Sequence, residues 1–167
     1  MRPALPTSSR LTYDEMTEAD LDDLARLLGD AGVMAHYPHP FSRDEALGWI
    51  RWQQRNYDRD GFGLWLLRDR DGAFVGDGGL TWQVVDGEEH LELGYHLLPA
   101  HQGLGLATEA ATACRELARA RGVDHLIAII APGNAASVAV AERVGLTLDR
   151  HTVSRHGLPV VVYRAEL

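Results

Sequence analysis

Residues 91–122 read LELGYHLLPAHQGLGLATEAATACRELARARG, residues 124–130 read DHLIAII, and residues 131–145 read APGNAASVAVAERVG. The order is strand, glycine loop, helix, strand, asparagine-led loop, helix. In the first strand Leu91, Leu93, Tyr95 and Leu97 alternate with Glu92, Gly94 and His96, so one face belongs to the core and the other is free to meet a ligand. Pro99 ends that strand. Gly103 and Gly105 then open a turn, and its continuation from Ala107 to Arg121 has helix-forming composition and apolar spacing. Backbone amides are thereby left bare at a helix N-terminus. Unpaired N–H groups and the positive end of the helix dipole both favour an anion there, and missing side chains let a phosphate approach.

The hexapeptide Gln102-Gly103-Leu104-Gly105-Leu106-Ala107 resembles the Gln/Arg-x-x-Gly-x-Gly/Ala signature of the GNAT N-acetyltransferases, whose loop grips the pyrophosphate of acetyl-CoA. Its surroundings resemble that family too. The strand LELGYHLL precedes it, Thr108-Glu109-Ala110 follows it, and Asn134-x-x-Ser137 with Ala141-Glu142-Arg143-Val144-Gly145-Leu146 comes one strand later. Together these look like the ribosomal-protein N-terminal acetyltransferase (RimJ/RimL-like) branch. The likeness is strongest from Gly76 to Leu146 and reaches loosely to Arg10-Leu11, while residues 31–60 match only in outline.

Other nucleotide loops fit less well. A P-loop needs Lys-Ser or Lys-Thr after its last glycine, and Leu106-Ala107 supplies neither the phosphate lysine nor the magnesium hydroxyl. A dinucleotide fingerprint needs a third glycine where Thr108 stands. A plain tight turn between strand and helix is the remaining alternative, and the flanking residues favour the phosphate loop over it.

A chain of 167 residues with 46% hydrophobic content can bury an ordinary core, and no linker or repeat divides it, so residues 1–167 read as a single domain. The one cysteine, Cys114, excludes an internal disulfide and fits a reducing compartment; a small core residue is its expected role. There is no basic-then-apolar leader pattern, and the aliphatic run Leu126 to Ala131 is too short to span a bilayer, so a cytoplasmic protein without membrane attachment is expected. Asp and Glu number 24 against 16 Lys and Arg, a formal net charge of −8. That sign argues against nucleic-acid binding, yet oriented amides and a few local cations can still hold CoA. The acidic surface either favours a cationic amine or only maintains solubility.

The remainder reads as α+β. Arg10 to Met16 alternates as a strand, and Thr17-Glu18-Ala19-Asp20 resembles a capping box opening a helix with Leu21, Leu24, Leu27 and Leu28 inside. A second box, Ser42-Arg43-Asp44-Glu45, starts a helix to about Asp58 with Ala46, Trp49, Ile50 and Gln53 on one stripe. Strands follow at Gly63 to Arg68, Ala73 to Thr81 and His90 to Leu98, then at Thr147 to Ser154 and Pro159 to Ala165 around His156-Gly157. The sum is about seven strands, mainly antiparallel, and about four helices.

The family resemblance implies a splay between the strand at 90–98 and the strand at 125–130, into which the pantetheine arm of acetyl-CoA inserts. Backbone at His96, Leu97 and Leu98 is the candidate contact, with the Leu97 N–H polarising the thioester carbonyl. In this branch the residue matching Asn134 contacts pantetheine and the one matching Ser137 is assigned to protonate the departing thiolate; helix capping alone also explains both residue types. Arg143 stands where the branch often carries Lys or Arg, either as a phosphate contact or as a solvated arginine. Gln102 stands where the family often has arginine.

Acetyl transfer to nitrogen requires a neutral amine, and with reference pKa values of about 8 for an N-terminus and about 10.4 for lysine a proton acceptor is wanted. Glu92 lies on the non-core face and aligns with the position where several family members carry a catalytic glutamate; the alternative is a solvated strand carboxylate. His36, Tyr37, Pro38 and His39 fall between the first two helices, where the fold places acceptor-binding elements, and Trp49 and Trp52 are either pocket walls or core. The eight histidines show no metal-ligand spacing, so no metal is expected. The implied activity is direct transfer from acetyl-CoA to a small-molecule amine or protein N-terminus in a ternary complex, as a monomer or homodimer. A non-catalytic CoA-binding module of the same fold is the competing expectation.

Overall fold

A computed structural model describes residues 4–167; Met1 to Pro3, part of the expected domain, lie outside the described residues. Seven strands form one sheet: β1 (Thr12–Asp14), β2 (Leu64–Arg68), β3 (Phe74–Val85), β4 (Glu88–Leu97), β5 (His125–Ile130), β6 (Thr147–Val153) and β7 (Pro159–Glu166). Four α-helices accompany them: α1 (Leu21–Leu28), α2 (Arg43–Asp60), α3 (Leu106–Ala120) and α4 (Ala135–Arg143). Both anticipated boxes form, the first on a 3-10 turn at Glu18–Asp20 that leads into α1. The Asp20 carboxylate accepts from the Thr17 N–H at 2.8 Å, and Ser42 and Glu45 exchange side-chain-to-backbone bonds at 3.2 and 3.0 Å.

The strand order is β1-β2-β3-β4-β5-β7-β6, and every neighbouring pair is antiparallel except β4 with β5. Successive residues of β3 point to opposite faces. Asp77 meets Trp49 of α2, whereas a side chain on Gly78 would point at Ala110 of α3. Helices α1 and α2 thus cover one face and α3 the other, with Trp65, Leu66, Leu67, Leu80, Leu91 and Leu126 almost wholly buried between them. Cys114 is buried in α3, where burial pushes its thiol up to about 12 and keeps it protonated. Among the described residues no helix is long and apolar enough to cross a membrane, and no group of three or more His, Cys, Asp or Glu is arranged to hold a metal.

Strands β1, β3 and β4 depart most from their expected bounds. Strand β3 runs on to Val85 because Trp82 to Val85 pairs residue by residue with Glu88 to Leu91, closed by Asp86-Gly87 with φ of 51° and 81°. Two left-handed residues are what a two-residue hairpin turn demands. Strand β1 is shorter than Arg10 to Met16, because the Arg10 N–H bonds the Glu109 carboxylate and the Met16 N–H the Tyr57 hydroxyl.

Candidate active site

Strands β4 and β5 meet at a single register pair, Glu92 with Ile127, and then part. Beyond that pair the β5-facing edge of β4 is bare. The Leu98 N–H is spent on the Val75 carbonyl at 2.9 Å, so by antiparallel alternation the Leu97 N–H points into the gap. The Leu97 carbonyl is already engaged, accepting from Gln102 Nε2 at 3.0 Å. Of the three backbone positions considered, Leu97 therefore offers its amide, Leu98 does not, and the His96 amide belongs to the β3 ladder. Gln102, exposed and uncharged, ties the loop to the end of β4 through this bond.

The glycine loop sits at the mouth of this gap. Gly103 and Gly105 have φ of 74° and 79°, and α3 starts at Leu106 with no side chain capping it. The first-turn amides of Leu106, Ala107 and Thr108 are consequently free to meet an anion. Leu104 presents its side chain to solvent while its carbonyl accepts from Arg10 Nη1 at 2.9 Å. Arg10 also bonds Glu109 through Nε at 2.6 Å and through its backbone N–H at 2.7 Å, tying the loop to the first turn of α3. On the far side of the gap Asn134 caps α4 by accepting from the Ser137 N–H at 3.2 Å. Ser137 Oγ donates to the Tyr95 hydroxyl at 3.2 Å, and that hydroxyl donates to the Ser137 carbonyl at 2.8 Å. Arg143 is exposed at the end of α4 and lines the same cavity.

On the α2 side the cavity floor is a short run of paired residues. Thr81 lies opposite Glu92, Gly79 opposite Gly94, and Asp77 opposite His96. A side chain on Gly94 would touch only Leu64, whereas one on Gly79 would run into the Gly63 backbone, so it is Gly94 that leaves a slot between Glu92 and His96. Burial pushes the Glu92 carboxyl up to about 7, against the opposing pull of His96, the Ile129 backbone, Thr81 and Arg155. His96 Nδ1 is 2.7 Å from Asp77 Oδ1, and Trp49 Nε1 donates to Asp77 Oδ2 at 3.1 Å. Burial alone would lower the His96 pKa; the Asp77 charge and hydrogen bond, with Glu92, outweigh it and raise it. The Tyr37 hydroxyl lies 2.7 Å from His96 Nε2, and burial with the charges of Glu92 and Asp77 raises its pKa.

Around that slot stands a row of rings. Tyr37 packs on Phe41 with centroids 6.1 Å apart, Phe41 on Trp49 at 5.8 Å, and Trp49 on Trp52 at 5.1 Å. His36 and His39 are exposed at its rim, and His39 Nε2 pairs with the Glu45 carboxylate at 2.9 Å. The β6–β7 hairpin closes the opposite rim with Val153, Arg155 and Leu158. Loop, gap, slot and ring wall share one cavity of about 1630 Å³. A glycine loop at a helix start, a split sheet and a carboxyl of raised pKa in one cavity are the parts an acyl-CoA-dependent transfer requires.

The model of the acetyltransferase (GNAT) domain matches residues 10–147. The chain belongs to the GNAT acetyltransferase family. It is similar to the uncharacterized protein YkkB of Bacillus subtilis (strain 168), at 34% identity over 139 residues covering 82% of this chain and 80% of that one. Among solved structures it resembles the acetyltransferase of Agrobacterium tumefaciens str. C58, with TM-score 0.84, 27% identity, and coverage of 98% and 96% of the two chains. It shares the fold of RimL, a ribosomal L7/L12 α-N-protein acetyltransferase solved with coenzyme A, at TM-score 0.77, 19% identity and 97% coverage of each chain. As a GNAT protein the chain is an acetyltransferase in class, with the seven-stranded mixed sheet and four helices of its structural neighbours.

Sequence reasoning did not single out Asp77 or Phe41, nor Arg155. Asp77 carried a signal: it is the one acid in the otherwise apolar and glycine-rich run FVGDGGL, in the middle of a strand. A buried acid there demands a partner, and His96 on the neighbouring strand is that partner.

Proposed function

We propose that the protein moves the acetyl group of acetyl-CoA to a primary amine, by direct attack with both substrates bound, and that it belongs to the RimJ/RimL-like branch. The parting of β4 from β5 beside the uncapped start of α3 carries this reading, since it offers a strand-like slot for the amide-bearing pantetheine and a cradle for its pyrophosphate. Acetyl-CoA is a second substrate here. Gly103, Gly105 and the amides of Leu106 to Thr108 hold the pyrophosphate, with Gln102 bracing the loop and Arg143 and Arg10 as the nearby cations. The Leu97 N–H polarises the acetyl carbonyl, which stabilises the charge that develops on oxygen during attack. Asn134 orients the pantetheine side, and Ser137 delivers a proton to sulfur.

Glu92 takes a proton from the amine. A carboxyl raised to about 7 is half ionised near neutrality, where a base is both available and strong enough to act. The acceptor lies over Gly94, its body against Tyr37, Trp49 and Trp52 and within reach of His39. This wall favours a small-molecule amine or an N-terminal residue with apolar bulk. The buried, protonated Cys114 is compatible with work in the reducing cytoplasm.

The test is acetyl-CoA turnover, read as free CoA thiol, against a panel of peptides with free N-termini, arylalkylamines, polyamines and amino acids. Release of thiol together with an acetylated amine supports the proposal. CoA binding by calorimetry with no turnover on any panel member would instead favour the non-catalytic module.

A further inference from the structure

Conversion of an alkylammonium into an amide removes two protons from nitrogen, and one carboxylate at Glu92 can hold only one of them. The cavity contains a second proton-handling array. Asp77 is fully buried, and its two carboxylate oxygens are occupied by His96 Nδ1 at 2.7 Å and Trp49 Nε1 at 3.1 Å. His96 Nε2 in turn meets the Tyr37 hydroxyl at 2.7 Å, and Tyr37 keeps 37% exposure at the cavity mouth. The chain of groups therefore runs from a sealed carboxylate through an imidazole to a phenol that lines the same cavity as the open Gly94. Hydroxyl, imidazole and carboxylate in that order are the parts of a proton relay, with the acid fixing the tautomer and steadying the imidazolium.

We propose that Tyr37, His96 and Asp77 form a proton relay in which the Tyr37 hydroxyl meets the acceptor nitrogen and removes its second proton. The proposal rests on the acetyl-transfer reading above. Glu92 takes the first proton from the ammonium, and the freed lone pair forms the N–C bond to the thioester carbon. The C–S bond breaks with its electron pair left on sulfur. As it does so, nitrogen gives its second proton to Tyr37 Oη while the Tyr37 hydroxyl proton moves to His96 Nε2. Asp77 holds the resulting imidazolium at Nδ1, and the proton returns through Tyr37 to water. Sulfur takes one proton from solvent by way of Ser137, so each turnover releases one net proton. Tyr37 is the catalytic residue of this array; His96 and Asp77 act through it.

The groups facing the imidazole are Asp77 from β3, Glu92 from β4 and Tyr37 from the segment between α1 and α2, with the Trp49 ring from α2. Glu92 also faces Arg155 of the β6–β7 hairpin. Two measurements on Tyr37→Phe, which keeps the ring in the wall, test the relay. With 2-phenylethylamine as acceptor, kcat should fall by about 10²-fold while the acceptor KM and the CoA Kd stay within about twofold, and the acid limb of log kcat against pH should drop from a slope of about two to about one. A variant with wild-type kcat and slope, or a loss confined to acceptor KM, overturns the relay. The second measurement needs no turnover: the His96 ring is titrated by NMR in the CoA-bound protein. Its midpoint should lie above 6.5, fall in Asp77→Asn and move in Tyr37→Phe, and a midpoint indifferent to both substitutions overturns the array. Failure of the acetyl-transfer reading shows separately, as a wild-type protein that releases no thiol with any amine.

Discussion

Replacement of Glu92 by glutamine should make the protein more stable in alkali and nearly inactive, because the carboxylate is held where it is costly to ionise. Burial raises the Glu92 carboxyl from its ordinary 4.5 to about 7 in the folded chain. Between those two values the folded state binds the proton that the unfolded state releases, so stability attached to this group is fully present below 4.5 and lost as pH rises through 7. At about 1.4 kcal/mol for each tenfold change, the loss above pH 7 approaches about 3 kcal/mol. Partial access of water to the carboxyl, and the loss of its attraction to His96 and Arg155, reduce the expected gain in Glu92→Gln to about 1–3 kcal/mol. For a chain of this size that corresponds to a Tm about 3–10 °C higher at pH 8. The amide oxygen still accepts from the Ile129 side. Thermal unfolding of the CoA-free proteins by circular dichroism at pH 8 and pH 4.5 gives the answer, with the gain confined to pH 8 and the two proteins nearly equal at pH 4.5. An equal difference at both pH values, or a less stable variant at pH 8, would refute the desolvation argument. The same variant should lose about 10² in kcat at neutral pH and recover part of it as the acceptor amine arrives already neutral.

Gly105 has φ of 79° and caps α3, so Gly105→Val imposes a conformation that a β-branched residue resists and fills the approach to the bare amides; CoA affinity by calorimetry should fall at least about tenfold with the distant core still folded, and undiminished affinity would remove the loop from the phosphate site. Trp52→Ala takes one ring from the wall beside Trp49 and should raise the acceptor KM about tenfold, with the acetyl-CoA KM little changed; equal effects on both would mark Trp52 as packing. His90 lies 2.9 Å from His125 where β4 and β5 begin to pair, and burial followed by the His125 charge lowers its pKa. The unfolded chain therefore binds that proton more readily, so stability from His90 is full above 6.5 and is lost as pH falls below it. His90→Phe should flatten the difference in Tm between pH 7.5 and pH 5.5, and an unaltered pH dependence would clear His90 of that role.

Local chemistry made much of the fold legible. Ser42-x-x-Glu45 and Thr17-x-x-Asp20 write their own helix starts, because cap and partner lie three residues apart and need nothing else from the chain. The alternation of Leu91, Leu93 and Leu97 against Glu92, Gly94 and His96 assigns the two faces of β4 in the same way, and His125 to Ile130 emerges at its expected bounds. The end of β3 is legible too, since Thr81-Trp82-Gln83-Val84-Val85 continues the strand-forming run up to the turn pair Asp86-Gly87. The site was legible only where it is built from consecutive residues. Gln102 to Thr108 is such a piece.

Tyr37 and His96 are 59 positions apart, and Arg10 and Glu109 are 99 apart. No period or spacing joins them. The sequence by itself determined the strand and helix order, the glycine loop with its bare amides and the carboxylate at Glu92, because each depends on backbone geometry and on neighbours within a few residues. Only the tertiary structure decided that Asp77 would lie beside His96, that α2 would deliver Trp49 to the same acid, and that the Glu92 carboxyl would rise toward neutrality. Those outcomes depend on strand register and on how much water the packed helices exclude, and both are set by contacts between residues far apart in the chain.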